Sequence, residues 1–242
     1  MKKNAGIIHP ALIAAWAAIV AIGHLLPTIP ILGTGRTFSL SHALSPLSGI
    51  FFGPIAGALC SAAGGFIGSL IAPHTAWMGP FTFIMGTITA FTAGCIAWGK
   101  WPSGIIVYIA GAALWYTQEI GRSIVHFPLV VYGIGFLALI TGTIFAGKMF
   151  ASNKQALKFP AIWLCSFGGL MGGAAMGNFF SLVLFNMPRE LWAFLMFVQP
   201  LERAAFSLGT MLIGVPLIAG LSKIGIFVGP GQDEISNDLP EP

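Results

Sequence analysis

The sequence predicts an all-α, polytopic transmembrane bundle of about eight helices, and three observations carry that prediction. Only 7% of the 242 residues are Asp, Glu, Lys or Arg, where a soluble domain carries about 25%. Hydrophobic residues make up 56% of the chain and mean hydropathy is +0.88. The apolar runs are of the length that crosses a hydrocarbon core of about 30 Å, roughly 20 residues, with charged, Pro-rich or Gly-rich breaks between them.

Taken in order, the first helix is expected over residues 8–26, behind a basic start at Lys2 and Lys3. Such a start also describes a signal peptide, but His9, Trp16 and the lack of a small-x-small cleavage site favour a retained helix. A short second helix over 39–52 meets a third over 54–71 at Gly53-Pro54. Gly ends one helix there and Pro suits the first turn of the next, which gives a tight hairpin. Helices over 80–98, 104–119, 127–147, 160–185 and 200–222 complete eight passes. The segment 191–199 is too short to span and reads as an interfacial or re-entrant piece leading into the last helix. Residues 1–228 then form a single transmembrane domain, and 229–242, with Asp233, Glu234, Asp238 and Glu241, a disordered acidic cytoplasmic tail.

Cations set the orientation, because Lys and Arg in short loops stay on the cytoplasmic side. With both termini cytoplasmic, Lys2, Lys3, Lys100, Lys148, Lys154, Lys158 and Lys223 fall inside, while Arg36, Arg122 and Arg189 fall outside. Arg203 belongs near the outer end of the last helix, so lysines and arginines separate by side. Arg is the better partner for a planar carboxylate or phosphate.

Small residues at four-residue spacing mark the third helix (Gly57, Ser61, Gly65, Ser69) and the seventh (Gly169, Gly173, Gly177). Such stripes let backbones approach closely in lipid, and they also suit a sliding surface or a backbone wall against a ligand. Ala11, Ala14, Ala15, Ala18 and Ala21 give the first helix a smooth face fit for reversible docking. Cys60, Cys95 and Cys165 each sit in an apolar run and read as buried packing residues.

Ionisable groups at membrane depth cost at least a few kcal/mol and usually face a cavity or a partner. They gather at the outer side: Arg36 and His42 around the first loop, His74 and Trp77 after the third helix, Glu119 and Arg122 at the end of the fifth, Glu202 and Arg203 opening the last. Tyr116 and Asn178 lie in the outer halves of their helices. Glu119 with Arg122 also reads as a local ion pair, Glu202 as a complement to the helix dipole, and Trp77 as part of an aromatic belt. Clustered together, these groups are the ingredients of a small-molecule pocket. No phosphate-binding glycine loop, zinc-protease His-Glu-x-x-His or aspartate cluster appears, so an ATP motor would have to come from another chain. No Arg ladder or pore-filter sequence appears either, which argues against voltage sensing and simple ion conduction.

The stretch from Ser45 to Ser69, SPLSGIFFGPIAGALCSAAGGFIGS, resembles the short helix, Gly-Pro turn and Gly/Ala-rich third helix of the substrate-binding S-components of energy-coupling-factor vitamin importers. The Ala14/Ala18 face and the stretch 200–225, with its acidic residue, Gly-Val-Pro and final Lys, extend the likeness to about half the chain. The family's usual core has six helices, so the pair around 104–147 is extra. The resemblance implies that loops 27–38 and 72–79, with Arg36, His74 and Trp77, close over an outward-facing pocket. It also implies that Ala14 and Ala18 dock onto a transmembrane coupling protein joined to two ATPase subunits, and that transport proceeds by toppling in the bilayer. Nickel and cobalt members carry a His at position two, where this chain has Lys2.

The expected function is capture of a small organic nutrient, a vitamin or precursor bearing a carboxylate or phosphate, at the plasma membrane, with no cofactor and no nucleic-acid partner. Arg36 and Arg203 would hold the anion, Trp77 and Tyr116 would stack on a ring, and Glu119, Asn178 and Glu202 would fix polar edges, with His42 and His74 beside them. The alternatives are a self-sufficient secondary transporter with Glu119 and Glu202 as proton carriers, and a membrane enzyme with His42 or His74 as acid or base.

Overall fold

The computed structural model describes residues 10–152, 154–185 and 187–230. The basic start at Lys2 and Lys3 and the acidic tail from residue 231 lie outside those residues. The elements run α1 (Pro10–Gly23), β1 (Pro27–Ile31), β2 (Arg36–Ser39), α2 (Ser41–Phe52), α3 (Pro54–Ile71), a 3-10 turn (Gly79–Thr82), α4 (Phe83–Ala97), α5 (Trp101–Thr117), α6 (Glu119–Ser123), α7 (His126–Ala151), α8 (Gln155–Leu184) and α9 (Arg189–Lys223). Among the described residues, five segments are long and apolar enough to cross a membrane: Pro54–Ile71, Gly79–Ala97, His126–Ala151, Gln155–Leu184 and Arg189–Lys223. α1 is apolar but shorter, and α2 and α5 have 12 and 17 residues.

Three features depart from the sequence expectation. The loop after α1 is an antiparallel hairpin, with Ile31 opposite Arg36 and Pro30 opposite Thr37. Thr28, Ile29, Ile31, Thr37 and Phe38 are strand formers, and Gly33 and Gly35 turn the chain at φ 82° and 66°. Residues 191–199 are no separate interfacial piece but the N-terminal part of the 35-residue α9, which carries Pro200 in its interior. Burial of Trp192, Leu195 and Gln199 before the proline, and of Arg203 and Phe206 after it, holds one continuous helix where local propensity favours a break. The chain between 117 and 126 forms the short α6, so Glu119 opens that helix rather than closing α5.

Glycines decide the packing at one crossing. Gly53, at φ 84°, turns α2 into α3, with Pro54 at the first position of α3. A Cβ on Gly94 of α4 would lie 2.7 Å from Pro54 Cα, and one on Gly49 of α2 would collide with the Ala90 carbonyl. Backbones of α2, α3 and α4 therefore touch directly. α8 runs through the middle, packed on α4, α5, α7 and α9, and is buried almost without break from Ala161 to Asn178. Its Gly169 meets Ala93 and its Gly173 meets Thr89, both on α4.

α5 and α7 are built into the core. Trp115 stacks on Phe127 with centroids 4.3 Å apart and meets the edge of Trp192 at 5.1 Å, tying α5 and α7 to α9. The outer faces carry Leu129, Leu201, Phe197 and Ile55, all widely exposed. A surface of that kind suits hydrocarbon rather than water. Cys60, Cys95 and Cys165 are buried and free.

Candidate functional site

At one end of the bundle the hairpin, α2, the loop after α3, α4, α8 and α9 surround a cavity of about 630 Å³, open space at its mouth included. Arg203 dominates its chemistry. It is only 6% exposed, its Nη1 donates to His42 Nε2 at 2.7 Å, and its Cζ lies 4.7 Å from the centroid of Phe38. Accepting that bond leaves His42 with its proton on Nδ1 and no charge. Arg203 Nε is buried with no hydrogen-bond partner, and among the described residues no carboxylate hydrogen-bonds this guanidinium. His42 is held in turn between Phe38, at 4.6 Å, and Phe206, at 4.8 Å. The Glu202 carboxylate, on the same cavity, acts on this guanidinium only through space, so the direct partners of the buried cation are a neutral imidazole and an aromatic face, an arrangement that an anion at the free Nε–H completes.

The remaining wall is aromatic and amide. Asn178 and Gln199 form a reciprocal pair, Nδ2 to Oε1 at 3.0 Å and Nε2 to Oδ1 at 2.8 Å. Trp77, on the loop after α3, and Trp192 line the cavity with Met85 and Leu195. Trp192 Nε1 and Thr89 Oγ1 are buried without hydrogen-bond partners among the described residues. Gly173 and Gly177 complete the α8 side, where the small residues let backbone form the wall and leave room for Met85 and Trp77.

Of the residues singled out from the sequence, His42, Trp77, Asn178, Glu202 and Arg203 meet at this cavity. The other four line neither it nor the neighbouring one. Arg36 is exposed on β2, and its Nη1 donates to the Pro73 carbonyl at 3.0 Å, which latches the hairpin to the loop after α3. His74 is exposed on that loop. Tyr116 donates through its hydroxyl to the Val125 carbonyl at 2.6 Å. Glu119 is exposed, and Arg122 donates to the carbonyls of Tyr116 and Thr117, so the local pair expected between Arg122 and Glu119 is replaced by backbone contacts.

Phe38, Thr89, Trp192 and Gln199 belong to the site and escape the sequence reading. Their signal is spacing: 192, 195, 199, 203 and 206 share one helical face, and 85 and 89 another. Taking 191–199 as a separate piece hides the first of these. The Ala14 and Ala18 side chains are exposed on α1, with Ile19 and Ile22 alongside, whereas Ala21 is buried.

No protein-family model matches the chain, and no solved structure matches it. It is similar to the uncharacterized protein MJ0923 of Methanocaldococcus jannaschii, 25% identical over 162 residues. That match covers 66% of this chain and 53% of the relative, so the chain spans about half the length of the curated protein it resembles.

Proposed function

We propose that the chain is the membrane-embedded substrate-capture subunit of an ATP-driven importer of the energy-coupling-factor type, taking a small organic anion from the outer side of a plasma membrane. The observation that carries this reading is the cavity covered by two loops, in which the buried Arg203 faces no carboxylate hydrogen-bond partner. The covering segments are the hairpin, through Ile31, Leu32 and Phe38, and the loop after α3, through Trp77. They are the two loops that close the pocket in the family the sequence resembles. Arg203 binds the anion; Trp77 and Phe38 cover a ring; Asn178, Gln199 and Glu202 read its polar edge.

In this reading the helices of twelve or more residues, α1 to α5 and α7 to α9, make eight passes with both termini cytoplasmic. The exposed Ala14/Ala18 face of α1 docks onto a coupling protein that carries two ATPase subunits. The vitamin or precursor carries a carboxylate or phosphate that meets Arg203.

Purification with and without co-expressed coupling protein and ATPases, followed by mass spectrometry of retained small molecules, tests the proposal. An anion held by the wild type and lost from Arg203→Met, together with co-purifying partners, is the expected result. A rival reading rests on Glu202, a carboxylate at the same cavity, acting as a proton carrier in a self-sufficient secondary transporter. A lone, ligand-free protein that drives uptake in step with the proton gradient, and loses it in Glu202→Gln, would establish that rival instead. The exposed position of Glu119 gives the rival no second carrier at the cavity.

A further inference from the structure

A second cavity, of about 390 Å³ with open space included, adjoins the first, and Phe38, His42, Trp77 and Met85 line both. Its chemistry differs. Among the described residues no Lys, Arg, Asp or Glu lines it; its polar groups are His24 and His42 with the hydroxyls of Ser39, Ser41, Ser45, Thr75 and Thr82. His24 is 6% exposed, and its Nδ1 is buried with no hydrogen-bond partner among the described residues. The imidazole leans on the α3 backbone at Gly68, and its Nε2 faces Gly65, another residue of the cavity wall.

The hydroxyls define what fits. Ser39 Oγ and Ser41 Oγ are 2.6 Å apart, so one donates to the other and one O–H stays free. Ser45 donates to the Ser41 carbonyl, and Thr75 donates to the His24 and Ala72 carbonyls, which leaves lone pairs as acceptors. A neutral imidazole adds one donor and one acceptor. A carboxylate, which only accepts, would leave the hydroxyl lone pairs unmatched and would find no cation here. A neutral group that both donates and accepts, such as a hydroxylated chain, matches both kinds.

We infer that the substrate is bipartite: its anion sits at Arg203 in the first cavity, and a neutral hydroxylated arm passes between Phe38 and Trp77 into the second. This inference rests on the anion reading of the first cavity. Two of the four dividing side chains, Phe38 and Trp77, come from the covering loops rather than the helices, so opening of those loops also opens the passage.

Benzoate and 4-(2,3-dihydroxypropoxy)benzoate serve as probes, since they share ring and carboxylate and differ in the neutral arm. Their affinities are measured by calorimetry on the purified full chain, its His24→Phe and Ser45→Ala variants, and Arg203→Met, with thermal unfolding confirming that each variant is folded. The wild type is expected to bind the arm-bearing probe about tenfold tighter, the effect of one or two buried hydrogen bonds. His24→Phe and Ser45→Ala should each pull that ratio toward one. A wild-type ratio of one, or a ratio that persists in both variants, overturns the second subsite and leaves a chamber that holds only water. If the wild type binds neither probe better than Arg203→Met does, the anion reading falls and this inference falls with it.

Discussion

Arg203 concentrates the chemistry of the site in one side chain. Replacing it with Met should weaken binding of the retained anion by at least about a hundredfold, the usual consequence of removing one partner of a buried charged pair. Lys should restore only part, because a point charge cannot reproduce the planar fork over Phe38. Unchanged affinity in titrations of Arg203→Met would remove the anion role. The Asn178–Gln199 pair makes a second prediction. Asn178→Leu leaves the Gln199 amide unmatched at a cost of about 1–3 kcal/mol, seen as a lower melting temperature. The double variant with Gln199→Leu, apolar on both sides, should recover part of that loss. Much of this site was legible as polar groups at one end of an apolar chain. Sequence position gives depth along a helix but not the direction in which a loop side chain turns. That is why Arg36 and His74 share the depth of His42 and Trp77 yet stand in solvent.

At the scale of elements, run length located the helices, and Gly53-Pro54 located the turn between α2 and α3. What escaped were features decided by contacts between distant segments. Pro200 reads locally as a helix start, and only burial on both sides of it reveals the continuous α9. The hairpin is held by ladder bonds between β1 and β2 and by the Arg36 latch to Pro73, neither visible in hydropathy. Arg36→Ala should therefore act on dynamics: the bound anion should leave faster in stopped-flow measurements while the site's own contacts stay intact. An unchanged off-rate would mean that the latch does not gate the loops. The helix crossing is less forgiving. Gly49→Ala drives a methyl into the Ala90 carbonyl, and strain from such overpacking is typically about 1–3 kcal/mol. Gly133→Ala on α7, where a Cβ meets nothing within 4 Å, serves as the control. Equal melting temperatures for the two variants would refute direct backbone contact at that crossing.

For the molecule as a whole, the apolar outside suits anchoring in lipid, and in the proposed reading the two adjoining polar cavities serve capture. The exposed Ala14/Ala18 face predicts a separable third function, docking. Ala14→Trp and Ala18→Trp should leave anion binding by the purified chain intact and abolish uptake in vesicles containing the coupling protein and ATPases. Normal uptake would end the docking assignment.

The length of α9 bears on where capture happens. Its 35 residues extend about 52 Å at 1.5 Å per residue, against a hydrocarbon thickness of about 30 Å. In the proposed orientation, with Lys223 anchored at the cytoplasmic boundary, Arg203 would stand about 30 Å away by the same rise, at the opposite boundary. The turn before it, with Gln199, then lies about 6 Å further out, at the level of the lipid headgroups. A solute would reach the guanidinium without entering oil, and capture would respond to the headgroup layer, weakening in anionic lipid where the headgroups repel the incoming anion.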